Sequence, residues 1–195
     1  MAQLIYNSLL KHGYQPNSRV PITLVGYSGG GQVSMGALPY LKESLHASIE
    51  IISLAGVFSG NTKAISLEHL YHLAGERDGI EQLAPTLFPK RKPIFFLSYW
   101  NRAKRRGQVS MISLGNVTHN GPEGVLDPDY YLPDGRSSLQ QTLDWISGII
   151  LGKLRVDIDP IRAKSSDCER YRQAEFEQAG VYPFSQSVSP ELCRR

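Results

Sequence analysis

Cysteine is scarce in this chain. Only Cys168 and Cys193 occur among 195 residues. Both lie near the C-terminal end, and neither sits in a CxxC pair or beside a histidine pair. That pattern excludes a disulfide framework and a cysteine zinc site, and it predicts two free thiols in a reducing compartment, with a single disulfide closing the tail as the alternative. Long apolar runs are missing too. No stretch reaches the roughly 18 apolar residues that a membrane-crossing helix needs. The opening MAQLIYNSLLKHGYQ lacks a basic leader, a long apolar segment and a small-residue cleavage site, so it does not read as a secretory signal. Charge of one sign is also lacking: the net charge is +3, too slight to argue for nucleic acid. There is no internal repeat and no low-complexity segment. These absences together predict a cytoplasmic protein with no nucleic-acid partner.

What is present is an ordinary globular composition, 41% hydrophobic and 20% charged, sufficient to bury a core without covalent staples. Leu4, Ile5, Leu9 and Leu10 recur at helical spacing and predict a helix over Ala2–Lys11. Breakers follow at Gly13, Pro16 and Asn17. Four short β-favouring runs come next: Pro21–Val25, Ile49–Ala55, His69–Ala74 and Val109–Leu114. A helical stretch, Gly30–Ser44, follows the first, with Pro39 expected to kink or split it. An amphipathic helix is predicted over Leu139–Leu151, with Leu139, Leu143, Ile146 and Ile150 along one side. Strands separated by helices or crossovers of at least a dozen residues predict an α/β fold with a mostly parallel sheet of about four to five strands and flanking helices. Residues 1–155 read as that domain. Residues 156–195 are polar, contain Pro160, Pro183 and Pro190, and read as an appendage with one helix, CERYRQAEFEQAG.

The first strand runs into glycines that surround a single hydroxyl, in VPITLVGYSGGGQ. Within it GYSGG fits G-x-S-x-G, with Gly26, Ser28 and Gly30 in the fixed places. A bare match is weak, but here an apolar strand precedes it and a helix follows. In that context the serine is forced into a strained turn that lifts its hydroxyl off the sheet. The flanking positions are expected to be too close to neighbouring elements for larger residues. The N–H of Gly29, at the start of the helix, faces any oxyanion that forms. A phosphate loop competes poorly, since there is no GKS or GKT ending and no G-x-G-x-x-G spacing. A merely structural turn is the other alternative.

A serine nucleophile needs a base, and the base needs an orienting carboxylate. The third strand ends in AGERDGI, which places Asp78 three residues past Gly75; Glu76 is the alternative acid. The fourth ends in GNVTHNGPEG, which places His119 four residues past Gly115. The other histidines fall on helix ends (His12, His46) or in a strand (His69, His72).

GYSGG, GERDGI and THNGPEG, in this order and closed by LQQTLDWISGII, resemble the α/β-hydrolase superfamily over roughly Ala2–Lys153. The resemblance implies a Ser28–His119–Asp78 triad with Gly29 in the oxyanion hole. It implies a carboxylic ester or thioester as substrate, with no cofactor and no metal. It also implies that the serine follows the fifth strand of an eight-stranded sheet. Here the serine follows the first strand of the chain, so the sequence looks like the C-terminal half of a hydrolase, with the loop that supplies a second oxyanion donor missing. Gly56–Glu68 leaves no room for a cap. The competing reading is a weak or inactive half-domain whose exposed strand at 21–25 pairs with another chain.

One segment stands apart. In residues 80–108, Lys90, Arg91, Lys92, Arg102, Lys104, Arg105 and Arg106 flank Phe95, Phe96, Tyr99 and Trp100. A buried strand or helix with solvated charges at its ends is the favoured expectation, with Phe95–Tyr99 as an additional edge strand. Contact of residues 90–106 with an anionic membrane surface or an acidic partner is the alternative.

Overall fold

The computed structural model describes residues 1–59 and 67–152. Cys168, Cys193 and the segment 156–195 lie outside the described residues. The described elements are α1 (Ala2–Lys11), β1 (Ile22–Tyr27), α2 (Gly29–Leu45), β2 (Ile49–Leu54), β3 (Leu70–Ala74), α3 (Gly79–Gln82), α4 (Ala84–Leu87), α5 (Tyr99–Arg105), β4 (Val109–Ser113) and α6 (Ser138–Ile150). A short 3-10 turn, Pro89–Arg91, precedes α5.

The strands form one four-stranded parallel sheet in the order β1-β2-β3-β4. β1 pairs with β2 from Ile22↔Ile49 to Tyr27↔Leu54, and β2 with β3 from Ile51↔Leu70 to Leu54↔Leu73. β2 is buried at every position but Glu50, as a near-continuous IEIISL run requires when both faces of a parallel strand are covered. Among the described residues β1 is an edge strand, and its Val25 remains 50% exposed.

The described chain divides into two compact units. One comprises Met1–Ala74 with Asp78–Met111, and the other Gly75–Arg77 with the residues from Ile112 onward. In the first unit, α2 lays Met35, Leu38, Leu41 and Leu45 on Ile22, Ile49 and Ile51, with Phe58, Leu67, Leu70 and Trp100 completing the core. The spacing of those four α2 residues keeps them on one face. Each such side chain contributes about 1.5–3 kcal/mol on burial. That outweighs the cost of about 3 kcal/mol for an internal proline, so α2 stays helical for 17 residues through Pro39 and is not split. α1 packs on α2 through Tyr6 and Tyr40, whose rings meet edge to face at 6.0 Å.

In the second unit, the buried face of α6 consists of Ser138, Gln141, Thr142 and Ile149. Ser138 Oγ donates within reach of the Gly124 and Asp127 carbonyls (2.6 and 2.9 Å), and Thr142 Oγ1 donates to the Val125 carbonyl at 2.7 Å. Side-chain hydroxyls therefore hold the loop that precedes the helix. Leu143 and Ile150, on the apolar stripe read from the sequence, are 45% and 53% exposed.

The segment 92–106 departs from the favoured expectation. Phe95–Tyr99 is no strand: Tyr99 begins α5, and Ile94–Leu97 form exposed turns. Only Trp100 and Ala103 turn inward from α5.

Two glycines on either side of this balance test the packing. A Cβ at Gly36, an exposed position inside α2, would meet nothing within 4 Å. Gly36→Ala should therefore stabilise the protein by about 0.5–1 kcal/mol, read as a rise of roughly 1–4 °C in Tm. A Cβ at Gly26 would lie 2.5 Å from the Gly30 carbonyl oxygen, so Gly26→Ala should lower Tm.

Candidate active site

Ser28 follows directly on β1 and stands at the N-cap of α2 with φ 51° and ψ −120°. The positive φ with ψ near −120° lies outside the left-handed helical well, and a side-chain-bearing residue held there costs about 1–3 kcal/mol. Three backbone hydrogen bonds keep it in place. Its N–H donates to the Leu54 carbonyl at the end of β2 (2.9 Å), while its own carbonyl accepts from Gly31 N (3.0 Å) and Val57 N (3.3 Å). The hydroxyl makes no capping bond to the first turn of α2, the usual use of a serine in this position. Gly29 opens the helix, and its N–H is among those at a helix start that have no carbonyl four residues back.

The glycines have different tasks. Gly26 is required because the turn folds back until the Gly30 carbonyl touches it. A Cβ at Gly31 would crowd Ser53 Oγ at 2.9 Å and the Gly56 Cα at 3.2 Å. Cβ atoms at Gly29 and Gly30 would meet nothing within 4 Å, so the expected confinement of both motif glycines applies to Gly26 and not to Gly30.

Asp78 is fully buried and caps α3: its Oδ1 accepts from Ile80 N and Glu81 N, both at 3.0 Å. β1 and β3 run parallel through β2, so Ser28 and Asp78, each just past a strand's carboxyl end, stand at the same edge of the sheet. Tyr27 registers the nearby acid. Partial burial pushes its phenol up, and the negative charge of Asp78 pushes it further. Glu76, the alternative acid, is exposed and accepts from Ser113 Oγ at 3.0 Å.

His119 belongs to the second unit, in the loop after β4. It is 7% exposed. The loop is built tightly around it. Thr118 N donates to the Glu123 carbonyl (2.8 Å) and Val125 N to the Thr118 carbonyl (3.2 Å). Arg77 reaches both the Asn116 carbonyl (3.1 Å) and Glu123 Oε2 (2.6 Å). Asp127 accepts from the N–H groups of Glu123 and Asp129, and these bonds hold its carboxyl below the usual range. Ser28 and Asp78 are thus brought to one edge within one unit, and His119 is set in a pinned loop of the other.

A buried polar chain was not legible from sequence spacing. Ser53 Oγ and His72 Nδ1 lie 3.2 Å apart, and His72 Nε2 is 3.3 Å from Glu81 Oε1. Arg91 Nη2 donates to the same oxygen at 3.3 Å. An ionised Glu81 fixes the proton of His72 on Nε2, which leaves Nδ1 to accept from the Ser53 hydroxyl. The Arg91 guanidinium stands 4.4 Å over the Trp100 ring and 5.1 Å over that of Phe58. Among the described residues its Nε and Nη1 have no hydrogen-bond partner, and the two aromatic faces supply the compensating attraction. Burial pulls the Arg91 guanidinium below its ordinary value, and Glu81 opposes that shift. The same Glu81 gives its backbone N–H to Asp78, so the chain anchors the turn that carries the candidate acid. The one available signal was His72, a histidine inside the apolar run HLYHLA, because a buried imidazole demands partners.

Compared with protein-family models, with curated proteins and with solved structures, the chain matches none.

Two outcomes follow from this geometry. Glycine carries no steric penalty at φ 51°, so Ser28→Gly should be more stable than Ser28→Ala by about 1 kcal/mol, measured by urea unfolding. Glu81 is held below the usual carboxylate range by its hydrogen bond from His72, with Arg91 adding to the effect against the opposing pull of burial. A depressed carboxylate stabilises the fold above its unfolded pKa, and that contribution disappears as pH falls through the folded value. Glu81→Gln should therefore lower the urea midpoint at neutral pH and flatten its decline below about pH 5.

Proposed function

We propose that this chain is a serine hydrolase of the α/β-hydrolase type, acting on a carboxylic ester or thioester. Ser28 attacks the acyl carbon, His119 takes the hydroxyl proton and returns it to the leaving group, and Asp78 holds the imidazole tautomer. The Gly29 N–H stabilises the oxyanion. The observation that carries the reading is the backbone of Ser28, a non-glycine residue locked at φ 51°, ψ −120° between a parallel strand and a 17-residue helix. A turn that served only to connect the two elements would be less strained with glycine there. The partly buried start of α2 adds its N-terminal partial charge where negative charge would develop. The reading requires His119 to reach both Ser28 and Asp78 when substrate binds.

A second reading rests on the edge position of β1. An edge strand presents unpaired N–H and C=O groups that another chain can pair with, and among the described residues β1 pairs with β2 alone. In this reading a further segment, from a partner or a second copy, completes the sheet next to β1 and supplies the second oxyanion donor. Loss of one such donor lowers rates by about 10²–10³.

A fluorophosphonate probe separates the two. Labelling of the folded protein that Ser28→Ala abolishes supports the first reading. No labelling of a folded monomer, with labelling gained in an assembled form, supports the second. Given turnover of an activated ester, Asp78→Asn should lower kcat/KM by about 10³–10⁴, and Glu76→Gln should leave it within a few-fold. Equal losses in both variants would remove Asp78 from its role.

A further inference from the structure

The segment between Pro89 and Arg106 is folded to show its apolar side chains to the outside. Ile94 is 78% exposed, Phe96 61% and Leu97 72%. Such consecutive exposure is not a matter of a loose loop. The Lys92 carbonyl accepts from Phe95 N (3.0 Å) and from Asn101 Nδ2 (2.9 Å). The Phe95 carbonyl accepts from Ser98 N (2.9 Å) and from the same amide (3.0 Å). The Phe96 carbonyl accepts from Arg105 Nη1 at 2.6 Å. Pro93 has no N–H to satisfy. Three carbonyls of the turn, those of Lys92, Phe95 and Phe96, are therefore bonded by side chains of α5 and by its own amides, while its apolar groups face outward.

Charge adds a second, independent feature. No aspartate or glutamate occurs between Glu81 and Glu123. Around the apolar turn stand Lys90, Lys92, Arg102, Lys104, Arg105 and Arg106, none of them fully buried. Arg91, the remaining cation of the segment, turns inward to Glu81 and Trp100.

We propose that this turn docks on an anionic lipid bilayer, with Phe96 and Leu97 entering the boundary of headgroups and acyl chains and the surrounding cations meeting lipid phosphates. A bilayer penalises unsatisfied backbone groups, and the Lys92, Phe95 and Phe96 carbonyls of this turn are already bonded. An apolar tip ringed by lysine and arginine is the arrangement that combines insertion with attraction to anionic headgroups. An acidic polypeptide would use the cations without needing the apolar tip, and a second copy would bring the same positive charge against itself. The docking involves neither Ser28 nor its partners, so it stands apart from the hydrolase reading. Among the described residues no helix is long and apolar enough to cross a membrane.

Sedimentation of the purified full chain with phosphatidylcholine vesicles, with and without phosphatidylglycerol, tests it. Binding should require the anionic lipid and weaken as salt rises. Phe96→Ser with Leu97→Ser, and separately Lys90→Glu with Lys92→Glu, should each reduce the partition constant about tenfold or more. Both pairs alter exposed side chains, and an unchanged Tm certifies the fold. Absence of binding to anionic vesicles overturns the proposal, as does equal binding to phosphatidylcholine alone. So does wild-type partition by the folded Phe96/Leu97 variant. If that variant instead dissolves a homo-oligomer, or polyglutamate is bound where vesicles are not, the occupant is a second copy or an acidic polypeptide and the lipid assignment falls.

Discussion

One backbone hydrogen bond, from the Ser28 N–H to the Leu54 carbonyl, ties the candidate nucleophile to the sheet. It exists because β1 and β2 run parallel in a register that sets Tyr27 beside Leu54, so that the next amide of one strand meets the last carbonyl of the other. A slip of one residue would exchange the faces of β1 and remove this partner. The register is fixed in turn by burial. Ile49, Ile51 and Ile52 are fully enclosed, and Met35, Leu38, Leu41 and Leu45 of α2 lie in the same core cluster as Ile49 and Ile51. The strain at Ser28, about 1–3 kcal/mol, is thus carried by a helix face that contributes several times as much.

The acid side of the site depends on a different kind of interaction. Asp78 is held by amides of α3, a helix of only four residues. So short a helix has little stability of its own. Its anchor is Glu81, gripped by His72 from β3 and by Arg91. Breaking a buried pair of this kind typically costs about 3–5 kcal/mol. That chain of hydrogen bonds therefore fixes where the Asp78 turn lies. Arg91 is also what separates the inward and outward parts of its segment. It stands over Phe58 and Trp100, and the turn a few residues later projects its apolar side chains to the surface.

Much of this was legible in the sequence because it is local. The strand before GYSGG, the helix after it and the positions of Asp78 and His119 past later strands follow from periodicity and punctuation. The four strands appear within two residues of their predicted limits at every end. The misreadings share a cause. Phe95–Tyr99 read as a strand because aromatic residues favour strands when half-buried, and nothing in the run itself tells whether a sheet is there to receive it. The apolar stripe of α6 suggested its inward face, yet Ser138 and Thr142 face inward because they bond loop carbonyls. The chain Ser53–His72–Glu81–Arg91 left only His72 as a signal because its members come from four separate stretches, brought together only by the tertiary fold.

The strongest argument for chemistry at this edge is what the sequence declines to do at position 28. Glycine already occupies Gly26, Gly29, Gly30 and Gly31 around it. At Gly26 and Gly31 the packing demands it. At Gly29 and Gly30 open space would admit a side chain. Position 28 is the reverse case: its backbone is the one in the turn that favours glycine by conformation, and it carries a hydroxyl instead. Capping does not account for the hydroxyl, because it makes no bond to the first turn of α2. A residue kept against its backbone preference, at the carboxyl edge of a parallel sheet and at the positive end of a long helix, is where open α/β sheets place the groups that meet their ligands.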